Sequence, residues 1–266
     1  MPRFVFLYTD AVIWAIVLAL VLYAHHAAKT PELAAKWKKL TGNTTALFCA
    51  ALLSVFFSVA LADSVHFRPR LDVGPTGVVA YAPKTVSALD YFVGRHIAGT
   101  ERSYSAPFAL FDFDKTSALV DQKPVRRFAR LKGASPDVAP EDKAQALVTD
   151  FARGATAGLG LSCLLLGVFT LLRRQKGERL SQSIRRLTGS QNPLSPILWV
   201  WTGAFFVAGL LWGLWPFWHI FGTDAVGNDV LLSAVKSVRT GVVIGSLATA
   251  CMLPPAVFLG IAAGYF

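Results

Sequence analysis

Five long apolar segments alternate with polar segments along the chain, and their lengths predict helices that cross a membrane. They span residues 4–24, 45–62, 154–172, 197–220 and 241–263. A transmembrane helix needs about 20 mostly apolar residues to cross roughly 30 Å of hydrocarbon. Asp10 lies near the start of the first segment, which makes that span the least regular one. The pattern predicts an all-α transmembrane helical bundle of five spans, with a small α+β domain outside the membrane.

Composition supports this prediction and excludes several other classes of protein. Of the 266 residues, 54% are hydrophobic and only 16% are charged, whereas soluble domains carry roughly 25% charged residues. The mean hydropathy is +0.49. Cys49, Cys163 and Cys251 all lie inside apolar runs, which is not the spacing of a metal cluster or a disulfide framework. A soluble enzyme, a disulfide scaffold and a nucleic-acid binder are therefore excluded.

The distribution of Lys and Arg predicts the orientation of the chain in the membrane. Loops 25–45 and 173–195 together hold ten basic and two acidic residues. Short loops rich in Lys and Arg are kept on the cytoplasmic side. Segment 63–153 holds 13 basic and 11 acidic residues, so it is close to neutral. We therefore expect a multi-pass protein of the cell inner membrane with its N-terminus outside, segment 63–153 outside and both basic loops inside.

The chain divides into four predicted regions. Residues 1–62 form two spans with a basic loop, and residues 63–153 form the extracytoplasmic domain. Residues 154–220 form two further spans, and residues 221–266 carry a motif and a fifth span. Within 63–153, the alternating runs 77–81 and 109–113 predict β elements, and 140–153 predicts a helix leading into the third span. No catalytic motif is present in this region.

A short repeat occurs 147 residues apart in the two basic loops. Residues 38–42 read KKLTG and residues 185–189 read RRLTG, and each stretch precedes an outward-going span. One interpretation is a parallel repeat of the kind found in transport folds. The other, which we favour, is independent use of a basic amphipathic turn that lies on the anionic cytoplasmic face of the membrane.

The segment that follows the fourth span carries the most specific pattern. Residues 222–231 read GTDAVGNDVL, and residues 262–266 at the end of the last span read AAGYF. These stretches resemble the second-type permease subunit of dipeptide and oligopeptide ABC importers, whose pattern is G-T-D-x-x-G-R-D-V-L followed by a span that ends in A-G-Y-F-G-G. The matching positions are Gly222, Thr223, Asp224, Gly227, Asp229, Val230, Leu231, Arg239, Gly264, Tyr265 and Phe266.

The resemblance covers the last quarter of the chain and, loosely, the second span. Asn228, Lys236 and Ser237 stand where the family pattern has Arg, Tyr and Gly. In the family, about four further spans and the coupling helix that contacts the ATPase follow this point. We therefore expect the sequence to be either a fragment or a degenerate relative.

The resemblance implies a transport subunit for peptides or peptide-like solutes that works by alternating access. The implied partners are a second permease subunit, two cytoplasmic ATP-binding subunits, an extracytoplasmic solute-binding protein and membrane lipid, but no nucleic acid. No G-x-x-x-x-G-K-[ST] motif occurs in the chain, so ATP hydrolysis is expected in the partners. We expect no enzymatic activity, cofactor or metal. The alternative is a non-transporting membrane anchor or assembly protein whose outer domain binds a partner.

The motif residues are also the candidate site. Gly222 and Gly227 allow backbone conformations with positive φ, and Thr223 and Asp224 are expected to cap the following helix. Asp224 and Asp229 are expected to pair with Arg239 or Lys236 and to hold a turn at the outer mouth of the pathway. The alternative is that these residues are only cap and turn residues. The residues that contact substrate and the identity of the cargo are unknown from the sequence.

Overall fold

The chain is mostly helical. The computed structural model describes residues 3–71, 80–83, 85–93, 100–120, 123–135, 138–173, 180–189 and 192–266. The helices in these ranges are α1 (Tyr8–Lys29), α2 (Pro31–Thr41), α3 (Thr44–Ser64), α4 (Ala88–Val93), α5 (Lys143–Leu172), α6 (Leu180–Thr188), α7 (Ser195–Leu214) and α8 (Val230–Tyr265).

Five of these helices are long and apolar enough, by length and composition, to cross a membrane: α1, α3, α5, α7 and α8. Large apolar side chains on them, such as Leu53, Leu164 and Phe258, are exposed. Exposed apolar side chains are expected where lipid replaces water around a helix whose backbone groups are all bonded internally. The predicted set of five apolar helices of membrane-spanning length is therefore confirmed, as expected of a multi-pass membrane protein.

The ends of the helices differ from the hydropathy limits. Helix α1 begins at Tyr8 rather than residue 4, because the backbone N–H of Leu7 donates to the Asp10 carboxylate and residues 3–5 form a strand. Helix α7 ends at Leu214, six residues before the predicted end of the fourth span. Helix α8 begins at Val230, eleven residues before the predicted fifth span. Helix α5 is continuous, so the helix predicted over 140–153 runs directly into the third span.

Short strands lie between the helices. They are β1 (Arg3–Val5), β2 (His66–Arg68), β3 (Arg70–Leu71), β4 (Ala80–Tyr81), β5 (Val86–Ser87), β6 (Phe111–Val120) and β7 (Lys123–Arg130). Strand β2 pairs antiparallel with β1 and β5, β3 pairs with β4, and β6 pairs with β7. Of the predicted β runs, 77–81 lies mostly outside the described residues, and 109–113 contributes the start of β6.

The described chain falls into two compact units, each built from separate stretches of sequence. One unit comprises Met1–His26, Phe56–Tyr91 and Ala234–Phe266, and the other comprises Ala27–Val55 and Phe92–Ser233. Segment 63–153 is thus divided, with its first part in one unit and its remainder in the other. In the first unit, β1 pairs with β2, so the start of the chain lies beside the residues that follow α3.

Helices α5 and α7 pack closely because small residues meet along their contact. Gly154 and Gly158 on α5 face Gly213 and Gly209 on α7. A Cβ atom added at Gly209 would lie 2.3 Å from the Cα of Gly158, so the two backbones approach within the space of one side chain. The Ser162 hydroxyl also donates to the carbonyl of Thr202, at 2.9 Å. Small residues and interhelical hydrogen bonds are the usual means by which helices associate in lipid.

The two copies of the sequence repeat lie at the ends of two short helices. KKLTG ends α2 and RRLTG ends α6, with the paired basic residues in the last helical turn, where they complement the helix dipole. The side-chain oxygens of Asn43 and Asn192 then accept backbone N–H groups at the starts of α3 and α7, at 3.0 Å each. Each copy of the repeat therefore lies at the end of a short helix that precedes a helix of membrane-spanning length.

Candidate functional site

The motif residues lie in the connector between α7 and α8, which comprises residues 215–229. Gly222 and Gly227 have φ angles of 72° and 85°, the left-handed region that favours glycine. A Cβ added at Gly222 would lie 2.1 Å from the carbonyl oxygen of Ser105, and one at Gly227 would lie 2.0 Å from that of Glu101. Both glycines are therefore required by backbone conformation and by close approach to the chain at residues 101–105.

Asp224 organises the tight turn inside the connector. Its carboxylate accepts the backbone N–H groups of Val226 and Asn228, at 2.9 and 2.8 Å. The side-chain amide of Asn228 donates to the other carboxylate oxygen at 3.1 Å. The backbone N–H of Asn228 comes first among these donors in holding the pKa of Asp224 below its usual value. Asn228 therefore stabilises the turn through its backbone N–H and its side-chain amide.

Asp229 caps helix α8. Its Oδ1 accepts the backbone N–H of Leu232, at 2.8 Å, which satisfies one of the free donors of the first helical turn. The cap is thus Asp229 rather than the predicted residues Thr223 and Asp224. The reason is positional, because α8 begins at Val230, directly after Asp229.

The second oxygen of Asp229 belongs to a buried charged cluster, which we call the His219 clamp. His219 Nδ1 lies 2.8 Å from Asp229 Oδ2, and His219 Nε2 lies 3.3 Å from Glu101 Oε1. The exposed fractions of His219, Asp229 and Glu101 are only 3%, 3% and 8%. Glu101 also accepts the backbone N–H of Gly133 at 2.9 Å. The clamp thus joins three separate segments of the chain.

The electrostatics of the clamp favour a charged imidazole. Burial opposes the charge, but the hydrogen bonds to Asp229 and Glu101 outweigh it and raise the pKa of His219 to about 9. For Glu101, burial again disfavours the charged form, yet the bond from His219 and the Gly133 N–H hold its pKa below the usual value. At neutral pH an imidazolium therefore bridges two carboxylates, and both ring nitrogens are engaged.

Thr223 and the adjacent backbone complete this junction. The Thr223 hydroxyl donates to the carbonyl oxygen of Ser103 at 2.7 Å and lies 3.1 Å from the Ser105 hydroxyl. Thr223 also forms isolated antiparallel bridges with Ser105 and Asp229. The backbone N–H of Glu101 donates to the Gly227 carbonyl at 2.9 Å. Segment 101–105 and the connector are therefore bonded to each other along their lengths.

Arg239, the last charged motif residue, lies in a second buried cluster. Its Nη2 lies 2.5 Å from Asp10 Oδ1 and also donates to the Thr9 hydroxyl, and its Nη1 lies 3.6 Å from Asp63 Oδ2. Asp10 is fully buried, accepts the Ser64 hydroxyl at 3.3 Å and lies 3.1 Å from His66 Nδ1. This cluster connects α1, the end of α3 and α8. Ionisable groups near a membrane are costly unless they are paired in this way.

The predicted partners of the acidic motif residues differ from those in the structure. Asp224 and Asp229 were expected to pair with Arg239 or Lys236. Instead, Asp224 bonds within its own turn, Asp229 bonds His219, and Arg239 bonds Asp10 and Asp63. Lys236 lies 2.5 Å from Asp90 and contributes, against the effect of burial, to lowering the pKa of that carboxyl group. Arg239 and Lys236 are thus paired with carboxylates that are distant in sequence.

Glu101 and His219, the partners of Asp229 in the His219 clamp, were not singled out as site residues from the sequence. Glu101 is 118 residues from His219, and no local pattern marks it. His219 stands three residues before Gly222, at the end of an apolar segment. A polar residue in an apolar segment was the signal in the sequence that could have marked His219 as a site residue. The remaining motif positions are distant from the connector in sequence. Gly264 and Tyr265 lie at the end of α8, and Phe266 follows the helix.

Comparison of this chain with known proteins identified no relative. No protein-family model, no curated protein and no solved structure matches this chain.

Proposed function

We propose that this chain is a permease subunit of an ATP-driven ABC importer for peptides or peptide-like solutes. It lies in the cell inner membrane and works with a second permease subunit, two cytoplasmic ATP-binding subunits and an extracytoplasmic solute-binding protein. The support is the motif G-T-D-x-x-G-x-D-V-L together with the folded junction that these residues form between α7 and α8.

The junction is the observation that carries the proposal. Segment 101–105 is bonded through the His219 clamp and Thr223 to the connector, and the connector ends in Asp229, the cap of the 36-residue helix α8. A solute-binding protein that docks on the outer segment would therefore act directly on the start of α8. In alternating access, such an attachment allows the outer segment to act on the first turn of α8 when the partner ATPases close.

The function is tested by purifying the tagged chain from its own membranes in mild detergent and reconstituting the complex in liposomes. We expect vanadate-sensitive ATP hydrolysis to co-purify, and we expect ATP-dependent accumulation of a mixed tripeptide pool. The chain reconstituted alone should show no uptake, because it has no nucleotide-binding motif of its own. A complex without ATPase activity would favour the membrane anchor, and uptake by the lone chain would contradict the ABC mechanism.

The orientation is tested by single cysteines in a variant whose three native cysteines are replaced by alanine. Tyr104 and Ser181 are both exposed and lie in segments predicted to be on opposite sides of the membrane. Tyr104→Cys should react with a membrane-impermeant maleimide in intact cells, and Ser181→Cys should react only after the membrane is opened. The reverse labelling pattern would invert the topology and exclude an outer docking role for segment 101–105.

A further inference from the structure

Two arginines lie directly opposite each other in the strand pair at the start of the chain. Strand β1 pairs antiparallel with β2, and the register places Arg3 across from Arg68. Directly opposite side chains project from the same face of a strand pair, with Cβ atoms about 4.5–5.5 Å apart. Like charges in this arrangement destabilise the pairing of the strands. A negative charge between the two guanidinium groups would therefore stabilise it.

The protein itself does not supply this negative charge. Within the ranges that the structure describes, neither arginine side chain bonds a carboxylate, because Asp10 and Asp63 bond Arg239 and His66 instead. Arg68 is partly buried, and its Nε is fully buried without a hydrogen-bond partner. A buried polar nitrogen without a partner costs stability, and such a group in a native protein commonly marks a bound ion or water molecule. The opposed arginines and the unpartnered nitrogen thus both indicate an anionic ligand.

The strand pair adjoins two helices of membrane-spanning length. Only residues 6–7 separate β1 from α1, and only Val65 separates α3 from β2. A segment joined this closely to the end of a spanning helix lies near the lipid headgroups. Phe4, Phe6 and Tyr8 are 74%, 69% and 97% exposed, and a patch of exposed apolar side chains marks contact with a membrane or a protein. Beside two spanning helices, this patch fits the membrane surface.

We propose that Arg3 and Arg68 bind the headgroup phosphate of an anionic phospholipid. Guanidinium groups bind phosphate oxygens through paired, charge-assisted N–H bonds, which suits arginine to this ligand. One phosphate between the two side chains cancels their mutual repulsion and supplies the counter-charge that Arg68 lacks. The exposed aromatic rings of residues 4, 6 and 8 contact the apolar part of the lipid layer, as such rings do at membrane interfaces. The site does not depend on the proposed transport function.

Lipid retention by the full chain tests the site. Native mass spectrometry in mild detergent, with phosphatidylglycerol and phosphatidylcholine at equal concentrations, measures how strongly each lipid is retained. We expect phosphatidylglycerol to be preferred, and we expect Arg3→Gln or Arg68→Gln to weaken its retention by about tenfold or more, because each removes a charge-assisted partner. The matched control is Arg70→Gln. Arg70 is exposed and lies across from Tyr81 in another strand pair, so this variant should retain the lipid as the unaltered chain does.

Two further measurements separate a built site from a diffuse positive surface and from a site for soluble phosphate. Arg68→Lys keeps the charge but loses the fork of N–H donors, and we expect it to weaken retention of phosphatidylglycerol severalfold. Unaltered retention by this variant would indicate diffuse attraction and overturn the site. Inorganic phosphate at the concentration of the lipid should not displace it, because phosphate gains nothing from the exposed aromatic rings. Displacement would overturn the assignment to a lipid.

The stability of the chain gives a second readout, with opposite signs in two lipid compositions. In nanodiscs of phosphatidylcholine alone, Arg3→Gln should raise the unfolding temperature, because it removes the repulsion from Arg68. In nanodiscs of equal parts phosphatidylcholine and phosphatidylglycerol, the same substitution should lower it, because a ligand of the folded state stabilises only the chain that binds it. A change in the same direction in both nanodiscs, or no change in either, would show that Arg3 holds no lipid and would overturn the site.

Discussion

Leucine in place of Gly158 should separate α5 from α7 and lower the unfolding temperature of the chain by roughly 10 °C. A Cβ at this position would lie 2.5 Å from the carbonyl oxygen of Phe206, which is backbone and cannot rotate away. Overpacking of a close contact costs about 1–3 kcal/mol and more when whole elements must shift. For chains of about this size, each kcal/mol corresponds to roughly 2–4 °C. The measurement is thermal unfolding of the purified protein in nanodiscs.

Gly160, on the same helix, provides the matched control. A Cβ at Gly160 meets nothing within 4 Å, so Gly160→Leu adds the same side chain to an open surface. Alanine makes the comparison sharper, because Gly to Ala favours a helix by about 1 kcal/mol. Gly160→Ala should therefore raise the unfolding temperature and Gly158→Ala should lower it. Equal effects at the two positions would show that the close contact between α5 and α7 does not stabilise the fold.

The number and approximate positions of the long helices could be predicted from the sequence because hydropathy reports the transfer of side chains into lipid. The start of α8 could not be predicted from hydropathy. Lys236 and Arg239 interrupt the apolar run, although the helix continues through both residues. The helix begins where Asp229 caps it, and a hydrogen bond to one backbone N–H leaves no trace in hydropathy. The predicted span ran six residues past the end of α7 because residues 215–220 are also mostly apolar, although they are not helical.

The motif residues themselves could be located in the sequence, but their partners could not. Gly222 and Gly227 are recognisable because few other residues adopt positive φ. The pairing of Asp229 with His219 and of Arg239 with Asp10 depends on which segments the fold brings together. Asp10 and Arg239 are 229 residues apart, and charge alone gave no reason to prefer Asp10 over Asp229. Local chemistry thus predicts the turn, and only tertiary structure identifies the ion pairs.

Replacement of His219 by leucine should destabilise the chain by about 3–5 kcal/mol, the range observed when one partner of a buried ion pair is removed. The substitution leaves Asp229 and Glu101 buried with no positive charge between them. Neutralising the two carboxylates in the same chain, as Glu101→Gln and Asp229→Asn, should recover part of the loss, since asparagine still caps α8. His25→Leu, at an exposed histidine, serves as the control. Equal stability of His219→Leu and the unaltered chain would show that the clamp does not hold the junction.

The pH dependence of stability gives the same prediction a second test with a definite sign. The pKa of His219 is about 9 in the folded chain, compared with about 6.5 for an unperturbed histidine. Its contribution, roughly 3 kcal/mol, is therefore complete below pH 6.5 and is lost as the pH rises toward 9. The unaltered chain should lose stability over this interval, while His219→Leu should lose much less. Because the clamp joins segment 101–105 to the cap of α8, peptide uptake by the complex should fall over the same interval if the junction carries the motion of the outer segment to that helix.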